Sequence, residues 1–247
     1  LSEFLTHNNI DTSRSYVIGD RDTDLQLAQK INLPGIKIDP KKENAWLEIK
    51  KEIMSLDKKS SVNRKTNETE ITSTVDLSSD QRIDIKTGIG FYDHMLEQFA
   101  KHSGISVEIK CEGDLHIDEH HTVEDVAITL GDALSRALST KAGIERYGFT
   151  LPMDDAKCSV AIDLSGRPFF KFDGEFTRES IGGLPTELII HFFYTISQHL
   201  KANIHISVIG DDDHHKAEAC FKCFGRAFSQ AINKTEATGV PSTKGTL

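Results

Sequence analysis

The sequence predicts an α+β fold of two internally duplicated β-β-α-β-α halves, packing sheets against helices, preceded by an incomplete α/β fragment. Three observations predict it. The motif His-His-x-x-Glu occurs twice, as HHTVED at 120–125 and HHKAEA at 214–219, and each copy opens a stretch of helical periodicity. Each motif follows a period-2 strand, which itself follows a helix carrying two histidines eight residues apart: His94 and His102 in the first half, His191 and His199 in the second. The step from His94 to His120 exceeds that from His191 to His214 by three residues, a difference that a loop before the second helix absorbs. With only two copies, the pattern is a duplicated domain and not a solenoid.

Residues 1–57 read as the tail of a separate domain. Tyr16-Val17-Ile18 is a β-prone run ending at Gly19-Asp20, and Asp24 to Ile31 is helical until Leu33-Pro34-Gly35 stops it. Gly35 to Ile38 reads as a second strand, so the segment is a βαβ unit suited to the edge of a parallel sheet. Residues 41–59 are Lys/Glu-rich with apolar residues at helical spacing, and 58–63 is expected to be a linker. The second domain then spans 64–247, with halves at about 64–140 and 150–233 and a C-terminal tail. In its first half Ile71, Ser73, Val75 and Leu77 alternate with polar residues, and Arg82 to Lys86 is the expected hairpin partner. Phe91, Met95 and Phe99 trace a helix face closed by Ser103-Gly104. Ile105, Val107, Ile109 and Cys111 form a strand, followed by a helix over about 120–140. The second half repeats this. Cys158, Val160, Ile162 and Leu164 alternate, Phe170 and Phe172 continue a hairpin after Ser165-Gly166, and a helix at about 185–202 and a strand at 204–209 precede the second motif.

Composition narrows the function. The chain has 247 residues, 38% hydrophobic and 27% charged, and a net charge of -9 argues against a nucleic-acid binder. A phosphorylated small substrate stays open, because a few local Arg and Lys residues decide that. No apolar run approaches the roughly 20 residues of a membrane helix and the start is unlike a signal peptide, so cytoplasmic residence without a membrane partner is expected. Cys220 and Cys223 form a CxxC inside a helix, flanked by Phe221 and Phe224 and without a second CxxC, which reads as buried thiols and not a zinc site. The opening at Leu1 suggests a piece of a longer protein.

Side chains at i and i+4 share a helix face, so His120 with Glu124, and His214 with Glu218, can each grip one ion. The second histidine of each pair, His121 or His215, points roughly 100° away and must serve another ion. Each metal thus receives an i, i+4 pair, one second-position histidine from the other motif, and His94 or His191. Four nitrogen and oxygen ligands without sulfur, with positions left open, suit Mn²⁺ better than a closed structural zinc site. His116 and His205 fall on expected strand positions outside this set. Arg146, Arg167 in Ser-Gly-Arg-Pro, and the tail Ser242-Thr243-Lys244-Gly245 are candidate anion binders.

With these residues in view, 64–247 resembles the imidazoleglycerol-phosphate dehydratase family, through RKTNET at 64–69, FYDHML at 91–96, GDLHIDEHHTVED at 113–125, SGRP at 165–168, HHKAEACFK at 214–222 and STKG at 242–245. The resemblance implies a duplicated α+β fold, two Mn²⁺ per active site, and a 24-subunit homo-oligomeric shell with sites between subunits. It implies one ion held by His94, His121, His214 and Glu218, and the other by His120, Glu124, His191 and His215. Substrate contacts are implied for Glu68, Gln98, His102, Arg146, Arg167, Lys222, Ser242 and Lys244, the two arginines, Ser242 and Lys244 holding phosphate. The implied reaction removes water from imidazole glycerol phosphate to give imidazole acetol phosphate in histidine biosynthesis. The metals would bind the imidazole as its anion, which expels the hydroxyl through a diazafulvene. Glu68, a carboxylate outside the ligand set, is the expected acid/base residue.

Residues 1–57 resemble the end of a haloacid-dehalogenase-type histidinol phosphatase. GDRDTD at 19–24 matches that family's acidic Mg²⁺-binding loop, which implies Asp20 and Asp24 at the metal of an intact phosphatase. That family's nucleophilic Asp-x-Asp lies upstream of any segment here, so this chain is expected to lack phosphatase activity while its parent protein has both. A rival reading is a dinuclear metal-dependent phosphate-ester hydrolase, separated from the dehydratase by whether product retains its phosphate. A metal-storage shell is a non-enzymatic alternative. The open coordination positions and the anion-binding residues argue against it.

Overall fold

The computed structural model describes residues 15–56, 58–78, 81–149, 152–235 and 239–244. The chain divides at Asp57/Lys58 into two units. In the first, β1 (Val17–Gly19) and β2 (Gly35–Lys37) pair in parallel across helix α1 (Asp22–Lys30), and helix α2 (Ala45–Leu56) follows. A small core of Ile36, Ile38, Ala45 and Ile49 closes this unit. It is the expected βαβ pattern. The first fourteen residues lie outside the described ones.

The second unit is an α+β fold built on two four-stranded paths of identical order. The first half contains β3 (Lys59–Lys65), β4 (Thr69–Asp76), β5 (Ile83–Lys86), helix α3 (Gly90–Ser103), β6 (Ser106–Gly113) and helix α4 (His120–Leu138). The second contains β7 (Tyr147–Gly148), β8 (Pro152–Met153), β9 (Ala156–Asp163), β10 (Phe169–Asp173), β11 (Ser180–Ile181), β12 (Leu184–Pro185), helix α5 (Thr186–Leu200), β13 (Asn203–Ile209) and helix α6 (Asp213–Ile232). The sheet orders are β3-β4-β6-β5 and β7-β9-β13-β10, with β8 also pairing β9 and β11–β12 a separate hairpin. In both, the first two contacts along the path are antiparallel and the last is parallel.

This topology corrects several expectations. Residues 58–63 are not a linker, since Lys59–Lys65 forms an edge strand hydrogen-bonded along β4 with Val62 buried. Each four-stranded path therefore has one more strand than the expected three, and the second half adds β8 and the β11–β12 hairpin. Residues 82–86 do not make a hairpin with β4, and 169–173 do not make one with β9. β5 and β10 instead pair in parallel with β6 and β13, each across a helix, because a parallel pair needs a crossover connection. The last strand of each half thus inserts between two earlier ones, where its alternating apolar residues gain two neighbours. His116, expected on a strand, lies in the turn after β6, whereas His205 is on β13, its ring tilted against Phe169 at 5.3 Å between centroids.

Each sheet carries its own two helices on its inner face, and the helix layers meet with α3 against α6 and α4 against α5. On α4 the buried Val123, Val126, Ala127, Leu130, Ala133 and Leu134 form an apolar stripe at 3.6-residue spacing. Helix α6 is buried almost all round, as expected of an element packed between a sheet and another helix. Phenylalanines fill the junction. Phe221 lies 4.9 and 4.8 Å from Phe192 and Phe193 between ring centroids, and Phe224 stacks on Phe99 at 5.2 Å. Two glycines at the same offset from their motif histidines permit these helix crossings. A Cβ on Gly225 would lie 2.7 Å from the Phe99 carbonyl oxygen, and one on Gly131 would lie 2.7 Å from His199 Cβ. Cys158, Cys220 and Cys223 are buried free thiols in this core, as expected of the CxxC.

Candidate active site

Both metal-motif helices begin alike. Asp118 Oδ1 accepts from the backbone N–H of His120 at 2.9 Å, and Asp212 Oδ1 from that of His214 at 2.7 Å. This fixes the first turn, in which the histidines sit. Because α3 packs on α6 and α4 on α5, each histidine of the earlier helices reaches the motif of the opposite half. His94, His214 and Glu218 form one cluster, and His120, Glu124 and His191 the other, with the donor atoms of each within 4.8 Å of one another. Glu218 Oε1 stands 2.8 Å from His94 Nε2 and 3.4 Å from His214 Nε2, while Glu124 lies 3.4 Å from His191 and 3.9 Å from His120. Two imidazoles and a carboxylate per cluster, with no sulfur, are a donor set suited to a divalent cation of the Mn²⁺ class.

The clusters are not equivalent. Lys222 Nζ donates to Glu218 Oε2 at 2.6 Å, and Gln98 Nε2 lies 3.3 Å from His94 Nε2. Burial opposes ionisation of Glu218, but hydrogen bonds from Lys222 and His94 outweigh it and hold the carboxyl down to about 2. His102, half-buried near Lys222, has its imidazole pKa lowered by burial and then by the Lys222 charge. At the position matching Lys222, the other motif helix has Ile128, and His199 pairs with Asp132 at 3.0 Å.

His121 and His215 join neither cluster within the chain. His121 Nδ1 is held by Asp114 at 3.0 Å, and its Nε2 faces Glu68 at 3.8 Å. His215 Nδ1 bonds Asp155, whose carboxylate also accepts from the backbone N–H of Asp211 and Asp212, each at 3.0 Å. A carboxylate on one ring nitrogen sets the tautomer and ring orientation of an imidazole. Both imidazoles have raised pKa values, His121 chiefly from its bond to Asp114 and His215 from its bond to Asp155. The expected four-ligand sets are thus three-membered here. Within the chain His121 is held by Asp114 beside Glu68, apart from His94, His214 and Glu218, and His215 by Asp155, apart from His120, Glu124 and His191.

Arg146, Arg167, Ser242 and Lys244 line one open pocket of about 700 Å³, together with Ser165 and Thr243. The Arg146 guanidinium is committed. It forks onto Asp163 at 2.6 and 3.0 Å and donates to the Pro241 carbonyl at 2.9 Å, which ties the tail to the pocket wall. Arg167 and Lys244 are exposed at its rim, and Ser242 Oγ accepts from the Lys244 N–H at 3.2 Å. No residue of this pocket belongs to either metal-ligand cluster among the described residues. Gly245 lies outside the described residues.

The family model for imidazoleglycerol-phosphate dehydratase matches residues 87–228, a span that takes in both clusters. The chain belongs to the imidazoleglycerol-phosphate dehydratase family. It is 47% identical to the histidine biosynthesis bifunctional protein HisB of Buchnera aphidicola subsp. Schizaphis graminum, across all of this chain and 69% of that protein. The HisB of Xanthomonas axonopodis pv. citri is 46% identical over 99% of this chain and 70% of its own length. Among solved structures, imidazoleglycerol-phosphate dehydratase from Staphylococcus aureus superposes with a TM-score of 0.65 at 34% identity, covering 72% of this chain and 99% of that one. The Pyrococcus furiosus enzyme in complex with (S)-C348 gives the same score and identity over 75% of this chain and all of its own.

In this dehydratase-family chain, sequence reasoning missed Asp114 and Asp155. Asp114 lies inside the string GDLHIDEHHTVED, so its motif was visible but its role was not. Asp155, sixty residues before its histidine, left no local signal. In the first unit Asp24 accepts from the backbone N–H of Arg21 at 3.1 Å at the start of α1, and exposed Asp20 lies beside Arg21. No helix is long and apolar enough to cross a membrane among the described residues.

Proposed function

We propose that this chain dehydrates imidazole glycerol phosphate to imidazole acetol phosphate in histidine biosynthesis, at a centre of two Mn²⁺ ions. The observation that carries the reading is the pair of His/His/Glu clusters, each drawing one helix from each half, beside histidines that point elsewhere. His94, His214 and Glu218 would hold one ion and His120, Glu124 and His191 the other. His121 and His215, each oriented by a carboxylate, would complete the clusters of neighbouring copies in a homo-oligomer, for which the family suggests a 24-subunit shell. When bound, the ions supply Lewis-acid stabilisation of negative charge on the substrate's imidazole ring.

The chain's own residues do the rest. Arg167, Ser242 and Lys244 bind the phosphate in the pocket whose tail Arg146 anchors. Gln98, His102 and Lys222 orient the ring and hydroxyls beside His94. Glu68 removes the carbon-bound proton and a protonated partner assists hydroxide departure, so one water leaves and the phosphate ester stays intact. Residues 1–57 we assign to the end of a histidinol-phosphatase domain, with Asp20 and Asp24 near its Mg²⁺. The bifunctional relatives and the parallel βαβ unit support this.

The deciding experiment adds Mn²⁺ to the purified chain, supplies imidazole glycerol phosphate, and follows imidazole acetol phosphate, free phosphate and particle size. Product that retains its phosphate is expected; release of inorganic phosphate would favour the phosphate-ester hydrolase instead. Glu68→Gln should keep its metal and lose most turnover, and full turnover in that variant would remove Glu68 from the acid/base role.

A further inference from the structure

Comparison of the two halves isolates a feature that only one of them has. Gly113 and Gly210 lie at the same offset from His94 and His191; Thr69 pairs with Gly113, and Ala156 contacts Gly210 one step beyond the Lys157–Ile209 pair. Glu68 and Asp155, each one residue earlier, are therefore counterparts. Asp155 is fully engaged, by His215 and two backbone N–H groups. In the first half Asp114 takes over the histidine's Nδ1, and the Glu68 carboxylate is left facing His121 Nε2 at 3.8 Å.

Something else must then hold Glu68. It sits in the turn Thr66–Thr69 that closes the β3–β4 hairpin. Thr66 Oγ1 accepts from the backbone N–H of Glu68 at 3.1 Å and of Thr69 at 3.0 Å, and Asp114 N donates to the Glu68 carbonyl at 3.0 Å. The turn is tied to the first metal-motif helix through Asp125, next to Glu124. Asp125 Oδ2 accepts from Thr69 Oγ1 at 2.6 Å and Oδ1 from Arg64 Nε at 2.8 Å. Asp125 is buried at 6% exposure, a costly place for a carboxylate. The matching residue of the other helix is Ala219, fully buried. The fold thus accepts a methyl group at this site, and a carboxylate stands at it only in the half whose glutamate faces its histidine at 3.8 Å without the backbone bonds that hold Asp155.

We infer that Asp125 is a positioning residue for Glu68, fixing the Thr66–Thr69 turn on helix α4 so that the glutamate stands beside His121. The inference rests on the acid/base reading of Glu68. Asp125→Ala places the second half's own solution in the first, and Arg64, 40% exposed, can turn to solvent. With the assembled, metal-loaded chain, kcat is expected to fall about tenfold to a hundredfold, as for a catalytic group displaced by about 1 Å, with KM little changed. Bound metal per chain should stay at the wild-type value. Asp125→Asn, whose amide can bond both Arg64 and Thr69, should restore most of the rate. In a Glu68→Gln background Asp125→Ala should cost nothing further, which a merely structural role would not produce. Should Asp125→Ala fail to fold, Thr69→Val cuts the same link at constant shape and should reproduce the kcat loss. Turnover within about twofold of wild type in the folded variants, with Glu68→Gln inactive, would overturn the inference alone. Full turnover in Glu68→Gln would overturn the acid/base reading and the inference with it.

Discussion

At the residue scale, one residue of helical rotation gives adjacent histidines different partners. His120 and His214 share a face with the glutamates four residues on, whereas His121 and His215 are turned away and met by Asp114 and Asp155. If those carboxylates set the tautomer and direction of a ligand, Asp155→Asn should weaken binding of one metal class by roughly 10- to 100-fold. Titration with Mn²⁺ against a competing chelator would register it, and unchanged affinity would count against His215 as a ligand. The i, i+4 pairs were legible in the sequence because helical spacing is local. Asp155 was not, because strand register alone brings it to His215.

At the element scale, α6 is fastened at its first turn by Asp213. This side chain accepts from the backbone N–H of Thr177 at 2.8 Å and of Arg178 at 2.7 Å and faces the Lys216 ammonium. Burial opposes its ionisation, but Lys216 and these N–H groups prevail and lower its pKa to about 2. A depressed folded pKa contributes stability that is complete above the unfolded value near 4 and is lost as pH falls toward 2. The contribution is about 2 kcal/mol. Asp213→Asn should therefore be less stable at neutral pH and show a flatter loss between about pH 4 and 2 in urea titrations. The helix crossings make a second test. Gly225→Ala would drive a Cβ into the Phe99 carbonyl, spreading α3 from α6 and parting His94 from Glu218. A cost of about 1–3 kcal/mol is expected, together with weaker metal binding. The helices were readable from apolar spacing, and the end of α3 from Ser103-Gly104, whose glycine caps it in the left-handed region. The parallel pairings of β5 and β10 were not, since a short strand's own residues do not name its partner.

At the scale of the whole molecule, the ligand clusters lie at helix N-terminal ends and are partly exposed, while an apolar core rich in phenylalanine joins the four helices. The fold should therefore outlast the metal. Chelation is expected to abolish turnover and reduce particle size while far-UV circular dichroism stays near its metal-loaded value; collapse of the helical signal would show instead that the ions are structural.

The sequence alone determined the duplication, the two kinds of motif histidine, the α+β class and the family, because each is written in local spacing or in short strings of residues. The tertiary structure decided which helix faces which, and so how the sharing of each cluster between halves, implied by the resemblance, is built. It turned the supposed linker into an edge strand, committed Arg146 to Asp163 and the tail, and brought Asp125 beneath the turn that carries Glu68. These depend on strand register and helix crossing, where residues far apart in the chain meet through packing. No window of sequence encodes such a meeting by itself.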